Sequence, residues 1–210
     1  MPEFPCGGLP PSNDRTQVSL SSPSFPIALE MGHDQTAVEI LLGLGTNPGT
    51  NYNVTLRKTF RIEGLGAFCV PAIHLSEEVL GTKLTDGLNF TVQVVTNGHP
   101  SGGLYACADF QLTTASVPSP TANDCFNNTG VSGTYFTGAA ADRHANASTA
   151  DGQPQGSDSD HGHGHDQGGN GTASETDSAE ETTPTDAATA LQTAAWGVLG
   201  AAVVAGFAVL

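Results

Sequence analysis

The chain is poor in charge, and especially in positive charge. Only 13% of its 210 residues are Asp, Glu, Lys or Arg, about half the usual fraction for a soluble globular protein. Six basic residues stand against 21 acidic ones, which gives a formal net charge of −15. Because no basic tract could neutralise a run of phosphates, the composition argues against nucleic acid as a partner. Electrostatic docking on anionic lipid is disfavoured for the same reason.

Familiar catalytic motifs are also missing. The sequence contains no GxSxG, no HExxH and no phosphate-binding loop. Its cysteines do not follow a CxxC-type zinc spacing. Their even number and wide separation favour two disulfides and therefore an oxidising compartment. The four residues are Cys6, Cys69, Cys107 and Cys125.

Composition divides the chain into three parts. Residues 1–130 hold all four cysteines and five of the six basic residues, and they are long enough to form a domain with a real core. Residues 131–193 are rich in Ala, Gly, Ser, Thr, Asp and Glu, which predicts a disordered, O-glycosylated stalk. Residues 194–210 carry no charge.

Five N-glycosylation sequons agree with a secreted protein. Some sequons arise by chance in a chain rich in Asn and Thr, but five of them together with paired cysteines favour the secretory pathway. Their acceptors are Asn53, Asn89, Asn127, Asn146 and Asn170.

The two ends of the chain give different indications. The uncharged segment 194–210, which follows a polar spacer with small residues, is typical of a GPI-attachment signal. A tail-anchored helix is the alternative, although 17 residues rich in Ala and Gly span a bilayer poorly. The start, Met1-Pro-Glu-Phe-Pro-Cys6, has no basic and no apolar region of a signal peptide. We therefore expect the natural chain to begin upstream.

Alternating apolar residues predict several short strands. Val38, Ile40, Leu42 and Leu44 alternate in one run, and Leu88, Phe90, Val92 and Val94 alternate in a second. Segments 53–62 and 103–113 are further strand candidates, since they are rich in β-branched and aromatic residues. Turn signals separate these runs, and no long helical period is present. The sequence therefore predicts an all-β fold, an antiparallel β-sandwich.

Three sets of polar residues are candidates for a site. On the last strand, Asp109 shares the less apolar face with Cys107, either as an ordinary solvent-facing carboxylate or as one held beside a site. His33 lies in a loop before a strand and is either a plain surface residue or a metal ligand. In the stalk, His161, His163 and His165 alternate with Gly, and such a tract either serves as a neutral spacer or chelates Cu²⁺ as an auxiliary site.

Several segments, taken in order, resemble the fungal copper acquisition factor family, the LPMO-like, GPI-anchored copper proteins. The resemblance covers residues 4–130 and is specific in combination, although each piece alone is weak. The segments are Phe4-Pro-Cys6-Gly-Gly-Leu, Met31-Gly-His33, Gly43-Leu-Gly-Thr, Phe68-Cys69-Val-Pro, Leu104-Tyr-Ala-Cys107-Ala-Asp109 and Asn123-Asp-Cys125-Phe-Asn127.

The resemblance implies an immunoglobulin-like sandwich that binds one copper ion by a histidine brace. In the family the brace uses the mature N-terminal His, a second His and a nearby Asp. The second His corresponds to His33 and the Asp to Asp109, while none of the five residues before Cys6 is His. The family pattern also suggests the disulfide pairs Cys6–Cys125 and Cys69–Cys107.

These observations predict a non-catalytic copper-binding protein at the fungal cell surface. We expect a monomer that is GPI-anchored at the outer face of the plasma membrane or in the cell wall, and that captures Cu²⁺ for an importer or buffers it. One alternative is a copper-dependent polysaccharide monooxygenase. Another is a metal-free structural wall glycoprotein, which the sequons and the stalk would also suit.

Overall fold

The computed structural model describes residues 1–98 and 102–156, and within them the fold is all-β. One four-residue α-helix, α1 (Glu77–Leu80), and two short 3-10 helices, Gly138–Ala140 and Ala145–Ala147, are the helical elements there. The strands are β1 (Thr16–Ser19), β2 (Ser24–Met31), β3 (Gln35–Leu44), β4 (Val54–Glu63), β5 (Gly66–His74), β6 (Asn89–Asn97), β7 (Gly103–Thr113) and β8 (Ser132–Tyr135).

The strands form a six-stranded sheet, in the order β1-β7-β6-β3-β4-β8, and a two-stranded sheet of β2 and β5. All neighbours are antiparallel except β1 and β7, which are parallel, so the larger sheet is mixed. The four strands expected from the sequence are present as β3, β4, β6 and β7. The predicted all-β fold is therefore confirmed.

The main core lies between the two sheets. Even-numbered positions of β3 and β6 supply one wall of it, because alternate side chains of a strand point to the same face. Alternate residues of β2 and β5 supply the other wall. The largest fully buried side chains include Phe60, Phe90, Ile27, Ile40, Leu42 and Ile73.

The domain extends beyond the boundary that composition predicts at residue 130. Residues 132–135 form β8, which pairs with β4. The following residues 136–156, here called the strap, lie against the outer face of the larger sheet, where Ala145 and Ser148 are 0% exposed. The expectation of a disordered stalk from residue 131 is therefore wrong for 131–156, because a few apolar anchors are enough to hold a polar segment on a folded sheet. Residues 157–193 of the predicted stalk and the tail 194–210 lie outside the described residues.

Two disulfides form, but their pairing differs from the expected one. Cys6 is bonded to Cys107, and Cys69 is bonded to Cys125. The expected pair Cys69–Cys107 is excluded because the two residues lie on the outer faces of different sheets, separated by the core. Facing sheets are about 10 Å apart, beyond the Cα–Cα reach of about 7 Å for a disulfide. The expected pair Cys6–Cys125 is excluded with it.

No helix within residues 1–98 and 102–156 is long and apolar enough to cross a membrane.

Candidate functional site

The outer face of the larger sheet carries Asp109, one of the three sets of candidate residues in the sequence. Across β3, β6 and β7 the register aligns three rows of side chains on this face. They are Gly43–Thr91–Asp109, Leu41–Gln93–Cys107 and Glu39–Val95–Tyr105. The prediction that Asp109 shares the less apolar face of its strand with Cys107 is thus confirmed, and this face is the one opposite the main core.

Asp109 accepts hydrogen bonds through both carboxylate oxygens. Oδ2 accepts from the backbone N–H of Ser12 at 2.6 Å. Oδ1 accepts from the Thr91 hydroxyl and lies 3.5 Å from Arg15 Nη1. The side chain is only 9% exposed, so most of the carboxylate is shielded from solvent by its protein partners.

Arg15 neutralises Asp109 and connects it to the surrounding backbone. Its side chain is 7% exposed. Nη1 lies 3.4 Å from each of two carbonyl oxygens, those of Phe90 and Phe110, and Nη2 donates to the Thr46 carbonyl at 2.7 Å. A buried charge needs such a partner set, because an unpaired one is costly to desolvate. The pair therefore fixes the segment before β1 against β6 and β7.

A cleft of about 1360 Å³ opens beside this ion pair. Asp109 and Arg15 form part of its polar wall. Phe25, Ile27 and Phe110, at the edge of the main core, line its apolar wall. The cleft runs between β1, β2 and residues 114–120.

Tyr52 lies over the disulfide next to Asp109. Its hydroxyl is 3.2 Å from Cys6 Sγ and 3.7 Å from Cys107 Sγ, and it is the donor because disulfide sulfurs carry no hydrogen. Burial, and secondly the negative charge of Asp109, raise the pKa of Tyr52 from 10.0 to about 12. The phenol is therefore neutral at physiological pH.

His33 lies far from this cluster. It occupies the exposed turn between β2 and β3, two residues before β3 begins at Gln35. Asp109 is level with Gly43, near the other end of β3. At 3.3 Å per residue, Gln35 and Gly43 are roughly 26 Å apart. The structure does not bring His33 and Asp109 together.

The described residues do not fit a complete copper site. Within 1–98 and 102–156, no group of three or more His, Cys, Asp or Glu side chains is close enough to hold a metal ion. Cu²⁺ prefers about four near-planar N and O donors. Asp109 already uses both oxygens on protein donors. The tract His161, His163 and His165 lies outside the described residues.

Sequence reasoning missed a second buried carboxylate. Glu39, 4% exposed, accepts from the backbone N–H of Ala145 at 3.2 Å, and its Oε2 lies 3.0 Å from His144 Nδ1. Its partners, His144 and Ala145, lie in a segment of low-complexity composition that predicts no contact with the domain. The one sequence feature that pointed to this site is Glu39 itself, a charged residue within an apolar strand. This contact attaches the strap to β3.

Four of the five predicted sequons lie in described residues. Asn53 and Asn127 are exposed, whereas Asn89 and Asn146 are half-buried. Asn170 lies outside the described residues.

Comparison with known proteins places these features in a family. The model of the domain described as copper acquisition factor BIM1-like matches residues 1–130. An uncharacterized protein of Aspergillus fumigatus is 61% identical over 211 residues, covering 100% of this chain and 86% of that protein.

Two further relatives match over a shorter region. A lytic polysaccharide monooxygenase-like protein of Emericella nidulans is 32% identical over 144 residues, or 64% of this chain. The lytic polysaccharide monooxygenase-like protein X325 of Aspergillus fumigatus is 31% identical over 144 residues, again 64% of this chain. The match spans 57% and 59% of the length of these two relatives. The chain belongs to the BIM1-like copper acquisition factor family.

Proposed function

We propose that this protein is an extracellular copper-binding protein that captures or buffers Cu²⁺ without turning over a substrate. The observation that carries the proposal is the match of the copper acquisition family over residues 1–130. The two disulfides support an extracellular setting, because such bonds persist in oxidising compartments. Copper is the cargo in this account and not a catalytic cofactor.

The histidine tract supplies the donors that the described residues lack. His161, His163 and His165 alternate with Gly and are flanked by Asp160 and Asp166. Imidazole and carboxylate groups on a Gly-rich chain can close around one Cu²⁺ without a preformed fold. Asp109 and His33 remain the positions that correspond to the family's ligands, but they are too far apart to share one ion.

Anchoring would place this copper close to the membrane. The apolar segment 194–210 is the proposed GPI signal, and the stalk from residue 157 would carry the histidine tract. Tethering raises the effective concentration of bound copper near an importer, the proposed partner. We propose that the protein acts as a monomer and that it does not bind nucleic acid.

A polysaccharide monooxygenase is the second candidate, because two relatives carry monooxygenase-like names. The buried Asp109–Arg15 pair favours the non-catalytic function, since it fills this part of the face with protein hydrogen bonds. Incubation with chitin or cellulose, Cu²⁺ and a reductant separates the two. Oxidised oligosaccharides would establish the enzyme, and their absence beside tight copper binding would support capture.

Copper titration against a chromogenic competitor tests the proposal. We expect the full chain to bind Cu²⁺, and a variant with Ala at His161, His163 and His165 to bind at least about tenfold more weakly. The matched control is His74→Ala, which removes an exposed imidazole at the end of β5 and should leave affinity unchanged. Equal affinity of the triple variant and the full chain would contradict the role of the tract.

A further inference from the structure

The sequons of the described residues differ in what surrounds the acceptor atom. N-glycosylation replaces a hydrogen on Asn Nδ2 with a bulky, hydrated sugar, so this atom must face solvent in the folded protein. Comparing the environments of Asn53, Asn127 and Asn146 therefore indicates which of them the fold can accommodate with a glycan.

Asn53 and Asn127 meet this requirement. Asn53 is exposed in the loop that precedes β4. Asn127 is exposed as well, and its Oδ1 accepts from the backbone N–H of Cys69 at 2.7 Å. This bond uses the amide oxygen and orients the side chain, while Nδ2 is left for modification.

Asn146 does not meet it. It is half-buried in the 3-10 helix Ala145–Ala147, and its Nδ2 donates to the Tyr105 hydroxyl at 3.2 Å. The approach to β7 is close, since a Cβ built on Gly103 would lie 2.7 Å from Asn146 Cβ. The third sequon residue, Ser148, is 0% exposed. A bulky sugar on Nδ2 would therefore be crowded between the 3-10 helix and Tyr105 on β7.

The Asn146 contact is one of a set that holds the strap on the sheet. On one side of it, Ala145 N–H donates to the buried carboxylate of Glu39. On the other, Gln155 Nε2 lies 2.8 Å from the Ser148 carbonyl and Gly102 N–H donates to Gln155 Oε1 at 3.0 Å. Displacing Asn146 from Tyr105 would pull residues 145–148 of the strap away from the sheet. A glycan at Asn146 and a docked strap therefore exclude each other.

We propose that Asn53 and Asn127 carry N-glycans and that Asn146 is left unmodified, acting as a docking residue that joins the strap to Tyr105. The unmodified amide is small enough to stay against β7 and donate to the Tyr105 oxygen. The proposal shares with the proposed function only passage through the secretory pathway, so results on copper binding do not bear on it.

Glycopeptide mapping of the full chain, secreted from a fungal host, tests the assignment. Enzymatic release of N-glycans in heavy-oxygen water converts each occupied Asn to labelled Asp, which mass spectrometry locates. We expect label at Asn53 and Asn127 and none at Asn146. Label at Asn146 in the folded protein, or its absence from Asn53 and Asn127, would overturn the proposal.

Hydrogen exchange tests the docking role separately. Tyr105→Phe removes the hydroxyl that accepts from Asn146, and we expect the Ala145 amide to exchange several-fold faster. The matched control is Tyr135→Phe. Because Tyr135 is 65% exposed on β8, this substitution should leave the exchange rate of the Ala145 amide unchanged. Equal exchange in Tyr105→Phe and the unaltered protein would overturn the docking role.

Discussion

His33 and Asp109 lie near opposite ends of β3, His33 in the turn before Gln35 and Asp109 level with Gly43. The distance along the strand is roughly 26 Å. Family resemblance assigns both residues to one copper ion, yet this fold keeps them apart. Any contribution of the two side chains to copper affinity should therefore be independent.

A double-mutant cycle measures this independence. We expect the effects of His33→Ala and Asp109→Asn on the Cu²⁺ dissociation constant to add, with a coupling energy below about 0.5 kcal/mol, as for sites without shared partners. The measurement is calorimetry on both single variants and the double variant. A coupling energy above about 1 kcal/mol would mean that the two residues share an ion.

The Asp109–Arg15 pair should contribute to stability. Asp109→Asn leaves a guanidinium that is 7% exposed without its counter-charge, and we expect a loss of about 3 kcal/mol in the free energy of unfolding. Urea denaturation with the disulfides intact measures it.

The Lys58–Asp142 pair is a control for that experiment. Lys58 Nζ and Asp142 Oδ1 are 2.7 Å apart, but the two side chains are 68% and 63% exposed. Asp142→Asn should therefore cost less than about 1 kcal/mol. Equal costs for the two substitutions would show that Asp109 is not held as a buried partner.

The raised pKa of Tyr52 predicts that the protein loses stability in alkaline solution. Its pKa rises from 10.0 to about 12 on folding, first through burial and then through Asp109. The folded state therefore holds the phenolic proton more tightly than the unfolded state. The stabilisation is complete below the unfolded pKa and is lost as pH rises from 10.0 towards about 12.

Tyr52→Phe separates this effect from other alkaline titrations. The urea midpoint should fall between about pH 9 and about pH 11, and this fall should be smaller in the variant than in the unaltered protein. Parallel falls in the two proteins would refute the assignment to Tyr52.

The disulfide pairing can be read directly by proteolysis without reduction. We expect linked peptides joining Cys6 to Cys107 and Cys69 to Cys125. Replacing Cys69 and Cys125 by Ser should cost about 2–5 kcal/mol, because the unfolded chain regains the freedom of a long loop. A peptide joining Cys69 to Cys107 would contradict the sheet arrangement.

The sequence predicts the central strands well because apolar and polar residues alternate clearly along them. Alternation in β3 and β6 identified both, and the parity of β7 placed Asp109 beside Cys107. The strands β2 and β5 gave weaker signals, since Pro26 and Pro71 interrupt them and a register shift occurs next to Pro26. Proline cannot donate to a sheet ladder, and these strands form a sheet of only two.

The site was harder to predict than the strands. Four cysteines allow three pairings, and the placement of Cys69 and Cys107 on different sheets excludes one of them. The position of Cys6 beside β7 and of Cys125 beside β5 decides between the other two, and no local pattern gives either position. Arg15 and Ser12 reach Asp109 from about a hundred positions away, a proximity that no local pattern encodes. The strap was missed because Gly, Ala, Ser and Thr in residues 136–156 match the composition of a linker.

Copper capture by this protein is best tested by the metal content of the protein purified from its producing fungus, grown with sufficient copper. We expect near-stoichiometric copper in the purified chain, and we expect this copper to be lost on treatment with a chelator and regained from Cu²⁺. A chain that carries no copper and takes up none on dialysis against Cu²⁺ would contradict this expectation and favour the structural glycoprotein.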